Sequence, residues 1–246
     1  MDLQLVLFIL IGFAAQMVDG ALGMAFGVIV SSSLIATGAP PAIASAAVHA
    51  AEIVTTGISG ASHVWHRNVD RALFLRLTVA GVLGGITGAY VLTGLPVEIV
   101  KPAVTIYLAA MAVLIIARLA GRTLLRWHPP TPLLGLGGGF CDAVGGGGWG
   151  PLVVSTLLAR GDEPRPSVGS VNLAEFFVTV AISAAFFFHL DLADYGRIVL
   201  GLIIGGALAA PLAGYALRIL PMRLAMILVA VVLTALCLYN LASLLR

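Results

Sequence analysis

The chain has 246 residues, 60% of them apolar and only 10% charged, with a mean hydropathy of +1.09. Soluble domains carry about a quarter charged residues, so this composition excludes a water-soluble globular protein and makes the lipid bilayer the solvent. The formal net charge is only +2, and the arginines are scattered among loops, which excludes the basic tract of a nucleic-acid-binding protein.

The N-terminus, MDLQLVLFILIGFAAQ, has no positively charged leader and no cleavage site before a polar domain, so Met1 onward reads as mature protein. Apolar arms at 3–18 and 21–37 flank the first glycine-rich stretch, GFAAQMVDGALG, from Gly12 to Gly23. They are long enough that a full crossing by each arm stays open. Three full spans follow at 41–63, 72–93 and 97–118, each near the roughly 20 residues that cross a ~30 Å hydrocarbon core. The second glycine-rich stretch, GLGGGFCDAVGGGGWG from Gly135 to Gly150, is flanked by arms at 132–144 and 149–160. Each of these would rise only about 20 Å as a helix, too little to cross. A hairpin that enters and returns on one side, turning at Gly145–Gly148, fits both the length and the glycines. Spans at 167–188, 197–217 and 222–245 complete the chain. Cys141 and Cys237 lie far apart in apolar surroundings, so neither a disulfide framework nor a cysteine metal site is expected.

The halves match each other. Gly12, Phe13, Gly20 and Gly23 align with Gly139, Phe140, Gly147 and Gly150. After a deletion of one helical turn in the second copy, Gly38, Pro41, Glu52, Thr56 and His66 align with Gly161, Pro164, Glu175, Thr179 and His189. Arg67, Arg71 and Arg76 mark one loop and Arg118, Arg122 and Arg126 another, two spans apart and hence on the same, cytoplasmic face. An even number of crossings in each glycine-rich pair adds Arg160, Arg165, Arg218 and Arg223 to that face and leaves Lys101, Arg197 and Arg246 outside. The predicted fold is therefore an all-α, multi-pass integral membrane protein with two inverted-topology repeats, 1–126 and 127–246. Each repeat holds a glycine-broken hairpin plus three transmembrane helices, and both termini are expected to be extracytoplasmic.

Non-helical backbone at membrane depth survives only where protein or a wet cavity satisfies its polar groups, and paired breaks in two halves point to a transporter's binding centre. On 41–63, Ser45, His49, Glu52, Thr56, Ser59 and His63 recur at three- and four-residue steps along one helix face. The second copy carries Asn172, Glu175, Thr179 and Ser183 on the corresponding face. A charge at the bilayer centre costs at least about 2.5–3.5 kcal/mol, so these faces must look into the protein. No lysine or arginine lies deep in a span. A bound anion would thus be held by half-helix N-termini, each worth about half a positive charge, and by backbone N–H groups at Gly20, Gly23, Gly146, Gly147 and Gly148. His49, Asn172 and Trp149 add side-chain donors, although Trp149 also suits packing of the hairpin tip. Glu52, Glu175, Asp19 and Asp142 are candidates for proton or ion coupling. The two aspartates are not equivalent in the repeat frame, so one can serve as a proton site and the other as a helix cap. Four carboxylates without a cation also suit a carrier of cations or protons. An intramembrane enzyme using His49 and Glu52 as an acid–base pair would lack a nucleophile, and no metal-ligand or phosphate-loop spacing occurs.

GFAAQMVDGALG, the following TGAPPAIASAA, the basic loop after His66, and GGGFCDAVGGGGWGP with Gly161, Pro164 and Ser170 resemble the TauE/SafE family of sulfite exporters and related sulfur-anion permeases. The resemblance spans nearly the whole chain. It implies a secondary transporter, not an enzyme, that moves sulfite, thiosulfate, organosulfonates or similar small sulfur-containing anions across a cytoplasmic (inner) membrane by alternating access. No cofactor is implied; the expected partners are the anion, protons and the bilayer.

Overall fold

The computed structural model describes residues 3–22, 24–122, 124, 128–219 and 222–244, and among them every regular element is helical. In chain order these are α1 (Leu3–Leu22), α2 (Phe26–Ala36), α3 (Pro41–Trp65), α4 (Arg71–Gly94), α5 (Val97–Leu119) and α6 (Thr131–Gly145). A π-helical turn, Gly150–Val154, leads into α7 (Ser155–Ala159), followed by α8 (Pro164–Phe187), α9 (Leu192–Ile219) and α10 (Met222–Ser243). Prolines open α3, α6 and α8, where a missing N–H costs nothing. Asp70 caps α4 by accepting from the Leu73 amide at 2.8 Å.

Among the described residues, four helices, α3, α4, α5 and α8, are both long and apolar enough to cross a membrane. They coincide with the spans expected at 41–63, 72–93, 97–118 and 167–188. Their outer faces stay apolar in the absence of any partner: Val79 and Leu83 on α4 are 62% and 57% exposed, and Ile106 on α5 is 60% exposed. Contiguous exposed apolar surface of this kind is what lipid covers. The span expected at 197–217 falls within α9, of 28 residues, and that at 222–245 overlaps α10, of 22 residues, which ends at Ser243; many side chains of both lie outside the description. The repeat boundary at 126/127 lies outside the described residues.

The N-terminal pair is unequal. At 20 residues α1 spans about 30 Å, whereas α2 has 11 residues, about 16 Å, and is buried along almost its whole length. The second arm is too short to cross on its own: it starts buried at Phe26 beside the break and ends at the exposed turn of Thr37 and Gly38.

The first helix of each half packs on the fourth-position helix of the other, α1 against α9 and α6 against α4. Glycine permits both contacts. A Cβ on Gly12 would lie 2.6 Å from the Leu202 carbonyl oxygen, and one on Gly139 would overlap the Gly81 carbonyl. Gly84 against Leu136 and Gly205 against Ile9 are equally close, so the small residues of α4, α6 and α9 serve backbone approach. Between these crossed pairs α3 lies on α8. Gly57 meets Phe176, Gly60 meets Leu173, and Asn68, just past α3, meets Gly169, so the residue numbers descend on one helix as they climb on the other. Thus α3 and α8 run antiparallel. Past their ends, Arg165 donates to Asn68 at 2.7 Å, the Asp70 amide donates to Ser170 Oγ at 2.8 Å, and Arg160 donates to Thr131 Oγ1 at 3.4 Å. The connections around 66–70, 131 and 160–170 consequently share one face.

Candidate functional site

The second break begins where α6 ends on Gly146, at φ 65°, with the Gly146 and Gly147 amides both donating to the Asp142 carbonyl at 2.8 and 3.2 Å. Gly147 and Gly148 follow at φ 143° and 154°, conformations that L side chains rarely adopt. The chain then turns back. Val153, in the π-helical turn, packs against Gly138 of α6, and Arg160 returns to Thr131 at the start of α6, so the segment is a re-entrant hairpin. A π turn at this point re-aims the returning arm, a geometry common at functional sites.

The tip is clamped by side chains from the first half of the chain. Ser31 of α2 donates to the Gly146 carbonyl at 2.5 Å, Ser45 of α3 to the Ala143 carbonyl at 2.6 Å, and Tyr107 of α5 to the Gly147 carbonyl at 3.1 Å. His49 reaches Asp142 Oδ2 through Nε2 at 3.2 Å, while its Nδ1 lies 2.8 Å from the Ser45 carbonyl oxygen. A carbonyl can only accept, so Nδ1 carries a hydrogen. The Nε2–Oδ2 contact is then a hydrogen bond only when one further proton sits on the imidazole or on the carboxyl. This pair is buried at the hairpin tip.

The aspartates of the two breaks do the same job. Asp142 Oδ1 accepts the Trp149 amide at 3.0 Å, and Asp19 Oδ1 accepts the Ala25 and Phe26 amides at 2.8 and 3.1 Å. Each carboxylate on the last turn of the incoming arm caps the start of the returning one. The cap expected at one of the two breaks is found at both. Their inequivalence in the aligned frame arises because α1 runs one turn further than α6 before it breaks.

Both breaks meet. A Cβ on Gly147 would lie 2.6 Å from the Val28 amide nitrogen, and one on Gly27 would lie 2.7 Å from Gly147 Cα, so the second tip rests on the first turn of α2. Beside this contact lies a cavity of about 250 Å³. Asp19, Glu52, Asp142 and Glu175 all line it, as do Gly147, Gly148 and Asn172. Among the described residues, the Glu52 and Glu175 carboxylates accept no hydrogen bond, in contrast to the two capping aspartates.

Other expected site residues stand elsewhere. His49 and Trp149 are completely buried behind the tip and do not line the cavity. Trp149 packs its ring over Gly81 and donates its indole N–H to the Val171 carbonyl at 3.2 Å, so its role is to pack the tip. Gly146 also lies outside the wall, since its left-handed turn presents its carbonyl to Ser31. Gly20 belongs to α1, and Gly23 lies outside the described residues. Asn172 faces the cavity with its amide partly engaged, accepting from Ser59 at 3.0 Å and donating to the Val168 carbonyl at 3.0 Å. The proposed His49–Glu52 acid–base pair does not form, because Ser45 and Asp142 occupy both ring nitrogens. Sequence reasoning missed Gln16 and Thr55 of the wall and Tyr107 behind it. Gln16, a polar residue deep in an apolar arm, was the available signal.

Long lipid-facing helices gathered around a polar cavity, itself formed where two interrupted hairpins touch, define a multi-pass membrane transporter. Comparison with known proteins narrows the class: the chain belongs to the sulfite exporter TauE/SafE family, whose model matches residues 8–240. It is 40% identical over 222 residues to the probable membrane transporter protein YtnM of Bacillus subtilis (strain 168), a match covering 86% of this chain and 74% of that protein. No solved structure matches the chain.

Proposed function

We propose that this chain is a secondary transporter of small sulfur-containing anions, sulfite, thiosulfate or an organosulfonate, built from two inverted repeats that rock against each other for alternating access. The observation that carries the reading is the meeting of the two hairpin tips at the wall of one cavity, where Gly147 and Gly148 leave backbone open beside a capped helix start. The antiparallel run of α3 and α8 and the exchanged packing of α1 and α6 support inverted repeats. The family's description as sulfite exporters supports the anion.

An inside-negative potential drives each negative charge outward by about 2.3 kcal/mol per 100 mV, so export needs no coupling ion and uptake needs one. Glu52 and Glu175, free of hydrogen-bond partners, are the proton carriers of the uptake mode: protonation removes their repulsion of a bound anion. The second reading, a cation or proton carrier, is favoured by the four carboxylates around the cavity. Flux of labelled sulfite, thiosulfate and a monovalent cation into proteoliposomes separates the two. Saturable anion flux that the cation does not inhibit is expected, and cation flux with no anion flux would overturn the proposal. In the cell we place the protein in the cytoplasmic membrane with both termini outside.

A further inference from the structure

The central cavity presents four carboxylates and no lysine or arginine, a wall that repels the anion it is proposed to carry. A positive element has to stand on the approach. Arg118, on the last turn of α5, occupies such a place. Its Nη1 donates to the sulfur of Met24, a wall residue of the central cavity, at 3.2 Å, and to Ser155 Oγ at 3.4 Å. On its other side Arg118 lines a second cavity, of about 240 Å³, together with Arg122, Ser155 and the apolar Leu114 and Leu158. The guanidinium therefore stands between two cavities.

Its charge is uncompensated. Arg160, on the same face, is paired with Asp162 through bonds of 3.1 and 3.2 Å and a shorter one to Nη2. No carboxylate of the described residues pairs with Arg118 or Arg122, and residues 119–130 contain no Asp or Glu at all. A half-buried guanidinium with only a thioether and a hydroxyl for partners keeps most of its five donors for an incoming acceptor. The fork suits an oxyanion with two or three oxygens on one atom, and the exposed Arg122 supplies a second charge at the mouth.

We propose that the Arg118–Arg122 cavity is an antechamber that binds the small oxyanion before it passes Met24 into the central cavity; this rests on the anion-transport reading above. The same fork would accept the phosphate of a lipid headgroup, so the test separates the two occupants. Arg118→Gln, Arg118→Lys and Arg122→Gln are compared with wild type in vesicles of pure zwitterionic lipid, with the 119–130 face toward the labelled sulfite. Thermal melts in detergent check that each variant is folded. Loss of a charged hydrogen bond predicts that Arg118→Gln raises the KM about tenfold with Vmax within about twofold. Arg118→Lys recovers part of the loss, and Arg122→Gln raises KM about threefold with a weaker salt dependence of the initial rate. An unchanged KM in folded Arg118→Gln overturns the antechamber, as does a KM effect that appears only when anionic lipid is added. Should wild type carry no sulfur anion, the transport reading falls. The antechamber then stands or falls on equilibrium sulfite binding, lost in Arg118→Gln or retained.

Discussion

The two hairpins use one capping device with different consequences. At the first break Asp19 caps two amides, and the residues that follow it, Met24 and Ala25, carry side chains, with Ala25 at an ordinary φ of −119°. At the second, Asp142 caps one amide, spends its other oxygen on His49, and the turn consists of three glycines at positive φ. Every side-chain clamp on that second tip, from Ser31, Ser45, His49 and Tyr107, comes from the first half of the chain. The second break is thus gripped chiefly by the opposite half, whereas the described side-chain bonds at the first are the Asp19 cap from its own arm and the Arg118 contact to Met24.

The largest effect tests that contrast directly. Gly147→Ala puts a Cβ against Gly27 and the Val28 amide in a backbone conformation that costs about 1–3 kcal/mol for a non-glycine residue, with overpacking adding about 1–3 kcal/mol. Transport is expected to vanish and the melting temperature in detergent to fall. Normal flux in this variant would mean that the tips do not touch in the working protein.

Next comes the pair of caps. Asp19→Ala removes a cap worth about 0.5–2 kcal/mol. Asp142→Ala loses a comparable cap and leaves buried His49 Nε2 without a partner, a further cost of about 1–3 kcal/mol. Unfolding in denaturant should rank Asp142→Ala below Asp19→Ala; equal losses would erase the distinction between the breaks. Asp142→Asn sharpens it further. The amide still accepts from Trp149 and can donate to an unprotonated Nε2, so Asp142→Asn should keep near wild-type stability in the same denaturation series.

Much of this was legible beforehand. Four spans were readable because an apolar run of more than 20 residues has few alternatives in a bilayer, and the re-entrant turn was readable because its arms are too short to cross. The stripe Ser45–His49–Glu52–Thr56–Ser59 was readable as one face by helical spacing. What that face touches was not. Its upper part, Ser45 and His49, grips a tip some 95 residues away in sequence, and only Glu52, Thr56 and Ser59 reach the cavity. Periodicity fixes which residues share a face, but the partner of that face is a tertiary choice. The common role of Asp19 and Asp142 was hidden for a related reason: α1 runs one turn further before its break than α6, so the two caps fall at unmatched letters when the stretches are aligned. Tyr107 gave no local sign, being one aromatic in an apolar helix. Tyr107→Phe should cost about 0.5–1.5 kcal/mol, one hydrogen bond to the Gly147 carbonyl, measured as a shifted denaturation midpoint.

The smallest change in stability is expected where the change in function is most specific. Glu52 and Glu175 occupy matching places on the antiparallel helices α3 and α8, line the same cavity and accept no hydrogen bond from the described residues. Replacing either carboxylate by the isosteric amide removes no contact of the folded state, so Glu52→Gln should alter stability by less than about 1 kcal/mol. If Glu52 carries the proton of an uptake mode, the amide imitates the permanently protonated form. Anion uptake by Glu52→Gln vesicles should then continue but lose its dependence on an inward proton gradient, with a flattened pH profile. Glu175→Gln tests whether the symmetry of place is also a symmetry of role. A flat profile in only one of the two variants would assign the proton to that helix, and unchanged flux with unchanged pH dependence in both would remove the carboxylates from coupling altogether.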